Sequence, residues 1–112
     1  MNLSDAMLEA INRQINAELY SSYLYLSMAA YLESVNLDGM AGWMKVQAKE
    51  ETEHAEKFYG YVYERGGRVV LDTIEKPPAE WDSPTAVFEG ALEHERKVTA
   101  MINELMDLAE QE

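Results

Sequence analysis

Apolar residues recur at alternating steps of three and four along three separate stretches of this chain. In the first, Leu8, Ile11, Ile15, Glu18, Ser22, Tyr25, Ala29 and Leu32 fall on one helical face. In the second, Met40, Met44, Gln47, Glu51, His54, Phe58, Tyr61 and Arg65 keep the seam spacing of a packed helix, and that face is expected to be the buried one. In the third, Phe88, Ala91, Glu95, Val98, Ile102, Leu105 and Ala109 do the same. The pattern predicts an all-α fold, with helices over about 4–34, 38–65 and 84–111 in a single domain covering 1–112.

The breaks between these stretches carry recognisable stop and start chemistry. Ser4 is a suitable N-cap with Asp5 in the first turn. The run from Ser34 to Gly39 reads as a short turn with Asp38 as a candidate cap, so the first two helices should lie antiparallel. Gly66 and Gly67 end the second helix, since glycine takes the left-handed conformation there without a steric cost. Residues 67–82 are extended in character and contain Pro77-Pro78. A segment of that length reaches about 50 Å, against about 42 Å for a helix of 28 residues. It is therefore long enough to travel back along the whole second helix and to start a third helix parallel to it. Ser83 then offers an N-cap and Pro84 the first helical position.

One glutamate interrupts each apolar stripe near its middle: Glu18, Glu51 and Glu95. Counted from the shared end of the helices, with the third parallel to the second, they stand at roughly 24, 20 and 17 Å along the axis, and an antiparallel third helix would also place Glu95 near mid-height. His54 lies three residues after Glu51 and so projects from the same face. Three carboxylates and an imidazole with no buried Lys or Arg in their seams would repel if all ionised, and must protonate, admit water or bind a cation. Oxygen donors with one imidazole suit iron, manganese or zinc, and Glu-x-x-His is the half-motif from which helical bundles build di-iron sites. Tyr25, two turns after Glu18, stands close enough to hydrogen-bond a metal ligand or pass an electron, though plain core packing would look the same. Glu50 and Glu53 flank the motif as an entry path, an extra iron site or a solvated face. His94, one position off the seam, reads as a surface residue, the methionines as interface filler, and Trp43 and Trp81 as packing anchors.

Charge and composition narrow the partners. The 112 residues carry 21 acidic against 9 basic side chains, a formal net charge of -12, so cations are favoured and nucleic acid and anionic lipid are poor partners. There is no cysteine, hence no thiolate ligand or thiol nucleophile. No apolar run is long enough to span a membrane, and the N-terminus lacks the pattern of a signal peptide, which suits a cytoplasmic protein.

Several segments together resemble the non-haem ferritins of bacteria and archaea: Asn16 to Tyr25, Glu50-Glu51-Thr52-Glu53-His54-Ala55, Glu64 to Val69, Lys76 to Trp81, and Glu93-His94-Glu95. The resemblance covers essentially the whole chain and implies a ferritin-like helical bundle. It implies binding of iron, oxidation of Fe(II) by oxygen or peroxide, and storage of the ferric product inside a homo-oligomeric shell. By position it implies Glu18, Glu51 and His54 as ligands of the first iron, with Glu51 bridging. Glu95 matches a ligand of the second iron, Glu50 an additional iron site, and Tyr25 the tyrosine near the iron pair. Zinc or manganese are the expected substitutes. Thr52 stands where bacterioferritins carry a haem-ligating methionine, so no haem is expected.

The family's fourth helix, which supplies a glutamine and an acid to the second iron, and its short fifth helix are expected to be absent from this chain. An engineered truncation, a proteolytic fragment and a naturally short member all fit that expectation. Three amphipathic helices of a four-helix bundle leave an apolar groove, so self-association through the open face is expected, in a cage or a more open assembly. The leading expectation is ferritin-type iron binding and oxidation, impaired at the second iron. The alternative is a self-assembling helical module with weak or incidental metal binding and no ferroxidase activity. A rubrerythrin-like peroxidase would need a second Glu-x-x-His, and usually a cysteine-bound iron, neither of which this chain has.

Overall fold

A computed structural model describes residues 2–111. It contains three helices, α1 (Asp5–Ser34), α2 (Asp38–Glu64) and α3 (Pro84–Gln111), and no strand among the described residues. The molecule is a rod of 50 × 21 × 21 Å. No helix among the described residues is long and apolar enough to cross a membrane.

Local chemistry sets the helix ends. Ser4 caps α1, its hydroxyl accepting from the Met7 backbone N–H at 3.1 Å. Ser83 caps α3 in the same way, accepting from Ala86 N at 3.2 Å, with Pro84 in the first helical position. Two left-handed residues close the other ends. Asn36 (φ 65°) follows α1 and lets Leu37 N reach Leu32 O at 2.9 Å; Gly66 (φ 76°) follows α2 and lets Gly67 N reach Val62 O at 2.9 Å. Both are six-to-one closures of the Schellman type. Asp38 departs from its expected capping role. The N-cap of α2 is Leu37, with no side-chain cap, and Asp38 is the first helical residue, where its charge acts on the helix dipole instead.

The helix α1 is the centre of the fold. It packs against both α2 and α3, whereas among the described residues the backbones of α2 and α3 do not meet. Ser22 pairs with Thr52 and Glu33 with Lys45, so α1 and α2 are antiparallel. Ser21 meets His94, and Met28 lies against Gly90, so α1 and α3 are antiparallel as well. It follows that α2 and α3 run parallel. The crossover that makes this possible is tied to α1 rather than laid along α2. Asn12 donates to Arg68 O at 3.1 Å and accepts from Val70 N at 3.0 Å, and farther along Ser27 donates to Pro78 O at 2.6 Å.

A helix with two partners needs a wider buried stripe than one seam provides. Met7, Gln14, Ser21, Leu24 and Met28 are accordingly buried on α1 beside Ile11, Ile15, Glu18, Tyr25, Ala29 and Leu32. Burying an Ile, Leu or Met side chain of this kind contributes on the order of 1.5–3 kcal/mol. On α2 the expected face is rotated. The buried residues are Ala41, Met44, Ala48, Glu51, Ala55 and Val62, while Met40, His54, Tyr61 and Arg65 are exposed. The physical reason is that the α2 backbone approaches α1 alone, through small alanines that allow close packing, and the adjoining flank looks into an open channel. That channel separates α2 from α3 and is lined by Met7, Ile11, Phe58, Tyr61, Ile102 and Leu105 among others. Ala109, expected in the α3 seam, is exposed, and Ile102 and Leu105 are only partly covered.

Candidate metal centre

Glu18 is fully buried and Glu51 is 5% exposed, one from each helix of the α1–α2 hairpin. A carboxylate buried in that way requires compensation. For Glu18 half of it comes from one turn back on the same helix, where the Gln14 amide donates to Oε1 at 3.1 Å. Glu18 Oε2 and Glu51 Oε2 have no hydrogen-bond partner. Both are turned toward His54, whose Nδ1 lies 3.6 Å from Glu18 Oε2 and 3.4 Å from Glu51 Oε2.

Donor atoms from Glu18, Glu51 and His54 all lie within 4.8 Å of one another and could hold a metal ion. Two orphaned buried oxygens and one imidazole nitrogen, with no cationic side chain among them, are a donor set that suits a divalent ion such as iron, manganese or zinc. Electrostatics favour the same reading. The Glu51 carboxyl is pushed up to about 9, chiefly by burial and further by the carboxyls of Glu18 and Glu95. Without a cation, Glu51 therefore holds a proton at neutral pH.

Glu95 approaches from α3. It is partly exposed and accepts a hydrogen bond from the Tyr25 hydroxyl across the α1–α3 interface. Burial and this bond, with the negative charges of Glu95, Glu51 and Glu18, hold the Tyr25 phenol well above its ordinary pKa, so it stays protonated and remains a donor. Glu50 is exposed and lines the same hollow as Glu51, His54, Glu95, Tyr25 and Trp43. Trp43 is half exposed and tilts over Phe88 at 5.9 Å between ring centres, so it spans α2 and α3 at the mouth of the hollow instead of anchoring the core. Trp81 packs edge-on against Tyr31 at 5.6 Å.

Two residues near the centre were not expected there. His94 is not a surface residue: it is partly buried between Tyr20 and Tyr25, with ring centres 5.6 and 5.9 Å away. Ser21 Oγ spends its one proton on Ala17 O at 2.8 Å, which leaves His94 Nε2 to donate to Ser21 Oγ at 2.7 Å. Burial lowers the His94 pKa, against an opposing pull from Glu95. The signal was present in the stripe Val87, Ala91, His94, Val98, Met101, Leu105 and Leu108, which also steps by four and three and is the face of α3 turned to α1. The second missed residue is Gln14, one turn before Glu18 and on the second buried line of α1.

Comparison with known proteins places the chain by family and by fold. The ferritin-like domain family matches residues 8–112. A bacterial non-heme ferritin from Bacteroides fragilis (strain 638R) is 44% identical over 107 residues, covering 96% of this chain and 67% of the relative. The ferritin middle subunit of Aquarana catesbeiana is 44% identical over 103 residues, covering 89% of this chain and 58% of its own length. Among solved structures, an open pore ferritin from the hyperthermophilic archaeon Archaeoglobus fulgidus superposes with a TM-score of 0.95 at 57% identity, over 97% of this chain and 66% of that one. A closed form of the same ferritin, engineered by site-directed mutagenesis, gives a TM-score of 0.96 at 56% identity, over 98% and 67%. The chain thus spans about two thirds of the length of the first of these relatives.

Proposed function

This chain belongs to the ferritin family, and from that premise we propose that it binds Fe(II) at Glu18, Glu51 and His54 and takes part in its oxidation and storage. The observation that carries the reading is the pair of unpartnered buried oxygens, Glu18 Oε2 and Glu51 Oε2, facing one imidazole nitrogen. Iron is the substrate and the cargo. Glu18 and Glu51 supply charge and His54 a neutral nitrogen; Glu51 gives up its proton as the cation arrives. Glu95, held by Tyr25, stands beside Glu51 as a ligand for a second iron that Glu51 bridges. In the paired reaction two Fe(II) each lose one electron, and dioxygen takes both with two protons to become hydrogen peroxide. Peroxide itself is the other oxidant of this reading. Glu50, at the rim, receives an additional iron or passes it inward.

Zinc and manganese suit the same donors. Haem has no part in the proposal: the Thr52 hydroxyl is engaged with Ser22 at 2.8 Å and with Ala48 O at 3.2 Å inside the α1–α2 interface. The reading includes a cytoplasmic setting and a homo-oligomer. Within these 112 residues, the apolar channel between α2 and α3 supports pairing of that face between copies. Among the described residues Glu95 and the shared Glu51 stand as donors for the second iron, and with those two alone paired oxidation should be slower than at a fuller site.

Anaerobic addition of Fe(II) followed by air tests the proposal, with the ferric absorbance as the readout. Rapid oxidation of about two irons per chain supports ferroxidase chemistry. Tight binding with slow oxidation supports the impaired form. Neither binding nor oxidation near neutral pH leaves the alternative, a helical module that assembles without iron chemistry. Sedimentation at micromolar concentration tests the pairing of open faces, and a monomer there counts against it.

A further inference from the structure

The carboxylate of Glu18 is divided between two tasks. Its Oε1 accepts from the Gln14 amide at 3.1 Å, and its Oε2 is the unpartnered oxygen 3.6 Å from His54 Nδ1. Gln14 is 2% exposed, in a stripe otherwise made of Met7, Ser21, Leu24 and Met28. A buried primary amide is an expensive choice where a leucine would pack. What it gains is a donor one helical turn from the acid, the spacing at which side chains on one helix meet. The amide reaches Glu18 from the side of the α1–α3 interface, where it borders Met101, Leu105 and Leu108, away from the hollow that holds Glu51 and Glu95.

We propose that Gln14 is a positioning residue for the metal centre, holding Oε1 of Glu18 so that the carboxylate presents Oε2 alone to the cation beside His54 and Glu51. The inference rests on the reading of Glu18 as a metal ligand and adds a residue behind it. Without the amide, the Glu18 side chain is free to turn about its terminal bond, and the ligand must be ordered at the moment of binding. Partners that orient metal ligands in this way typically change affinity by about 10–100-fold when removed.

The test uses Gln14→Met, which keeps the length and volume of the side chain and loses the donor. Co(II) serves as the probe, followed by calorimetry and by its visible spectrum, which reports how its ligands are arranged. The expected result is a Co(II) affinity at least about tenfold weaker than wild type, with an altered visible band, unchanged helical circular dichroism and a lower thermal midpoint, since the buried Glu18 Oε1 loses its donor. Equal affinity and an identical spectrum in wild type and Gln14→Met overturn the role of Gln14 while leaving the metal site standing. No Co(II) binding by the wild type overturns both. A second measurement needs no variant. In 15N-labelled wild-type protein the Gln14 side-chain amide should stay protected from exchange and shifted by its acceptor both before and after Zn(II) is added. Loss of that protection on Zn(II) binding overturns the proposal, since the bond would then belong to the metal-free protein alone.

Discussion

Tyr25 and Glu95 lie seventy positions apart in the chain, and the hydroxyl of one donates to the carboxylate of the other across the α1–α3 interface. The bond joins a fully buried ring to a partly exposed acid at the edge of the candidate metal centre. Replacing Tyr25 with Phe keeps the ring and removes the donor. The expected cost is about 1 kcal/mol, read as a lower urea midpoint with an unchanged slope. Iron oxidation should slow as well, because Glu95 loses the contact that fixes it.

Glu51 makes the metal-free protein sensitive to pH. Its pKa rises on folding to about 9, so its contribution to stability is present in full below the unfolded value, about 4.3, and is lost as pH climbs through 9. Stability of the metal-free protein should therefore fall between pH 5 and pH 9. Glu51→Gln should flatten that slope and be the more stable protein at pH 9. Urea unfolding at pH 5, 7 and 9 with a chelator present checks both statements.

The same proton gives a signature of metal binding. At pH 7 the Glu51 carboxyl is protonated until a cation displaces the proton, so binding should release about one proton per site. Calorimetry of Zn(II) binding in buffers of different ionisation enthalpy measures the number directly. A value near zero would mean that Glu51 does not meet the metal.

His54 and Glu18 should separate fold from function in opposite ways. The His54 side chain is 49% exposed, so His54→Ala should alter stability by no more than about 0.5 kcal/mol and still weaken Co(II) binding by an order of magnitude or more. Glu18→Ala opens a cavity in the core and leaves the Gln14 amide without its acceptor, so it should lose binding and also destabilise the protein by about 2 kcal/mol. Thermal melts beside metal titrations distinguish the two.

The turn after α2 allows a test away from the metal. Gly66 has φ 76°, and a Cβ there would stand 2.9 Å from Asn2 Oδ1, the end of a flexible side chain. Gly66→Ala should cost about 1–2 kcal/mol, nearly all of it backbone strain. A variant as stable as wild type would show that the turn has another conformation open to it.

Three helices and a long crossover were legible in the chain because each helix declares itself twice, by its stripe and by its ends. Ser4, Ser83-Pro84 and Gly66 do in the fold what their chemistry predicts. The orientation of α2 was not legible. A seam drawn through Met40, His54 and Tyr61 is as regular as the alanine line that is in fact buried, and only the placing of neighbours decides between them. The same holds for α3, where the stripe through His94 and the stripe through Glu95 are adjacent and both satisfy the spacing. For the candidate centre, seam carboxylates and Glu-x-x-His singled out Glu18, Glu51 and His54, and the fold brings their donor atoms within 4.8 Å of one another. The Gln14 amide escaped notice because a glutamine on a helix is ordinary until its burial is known.

The position of α1 between its two neighbours also orders events in time. The α1–α2 hairpin has a short turn and the larger interface, and it already contains Glu18, Glu51 and His54. Helix α3 must wait for a crossover pinned at Asn12 and Ser27 before Glu95 can meet Tyr25. Contacts that close short loops form before those that close long ones, and the least buried element opens first in the native state. Hydrogen exchange should accordingly release the C-terminal half of α3 while the hairpin stays protected. The Glu18, Glu51 and His54 cluster should then survive excursions that undock α3, and on the proposed reading a cation is held there before α3 has docked and after it has left.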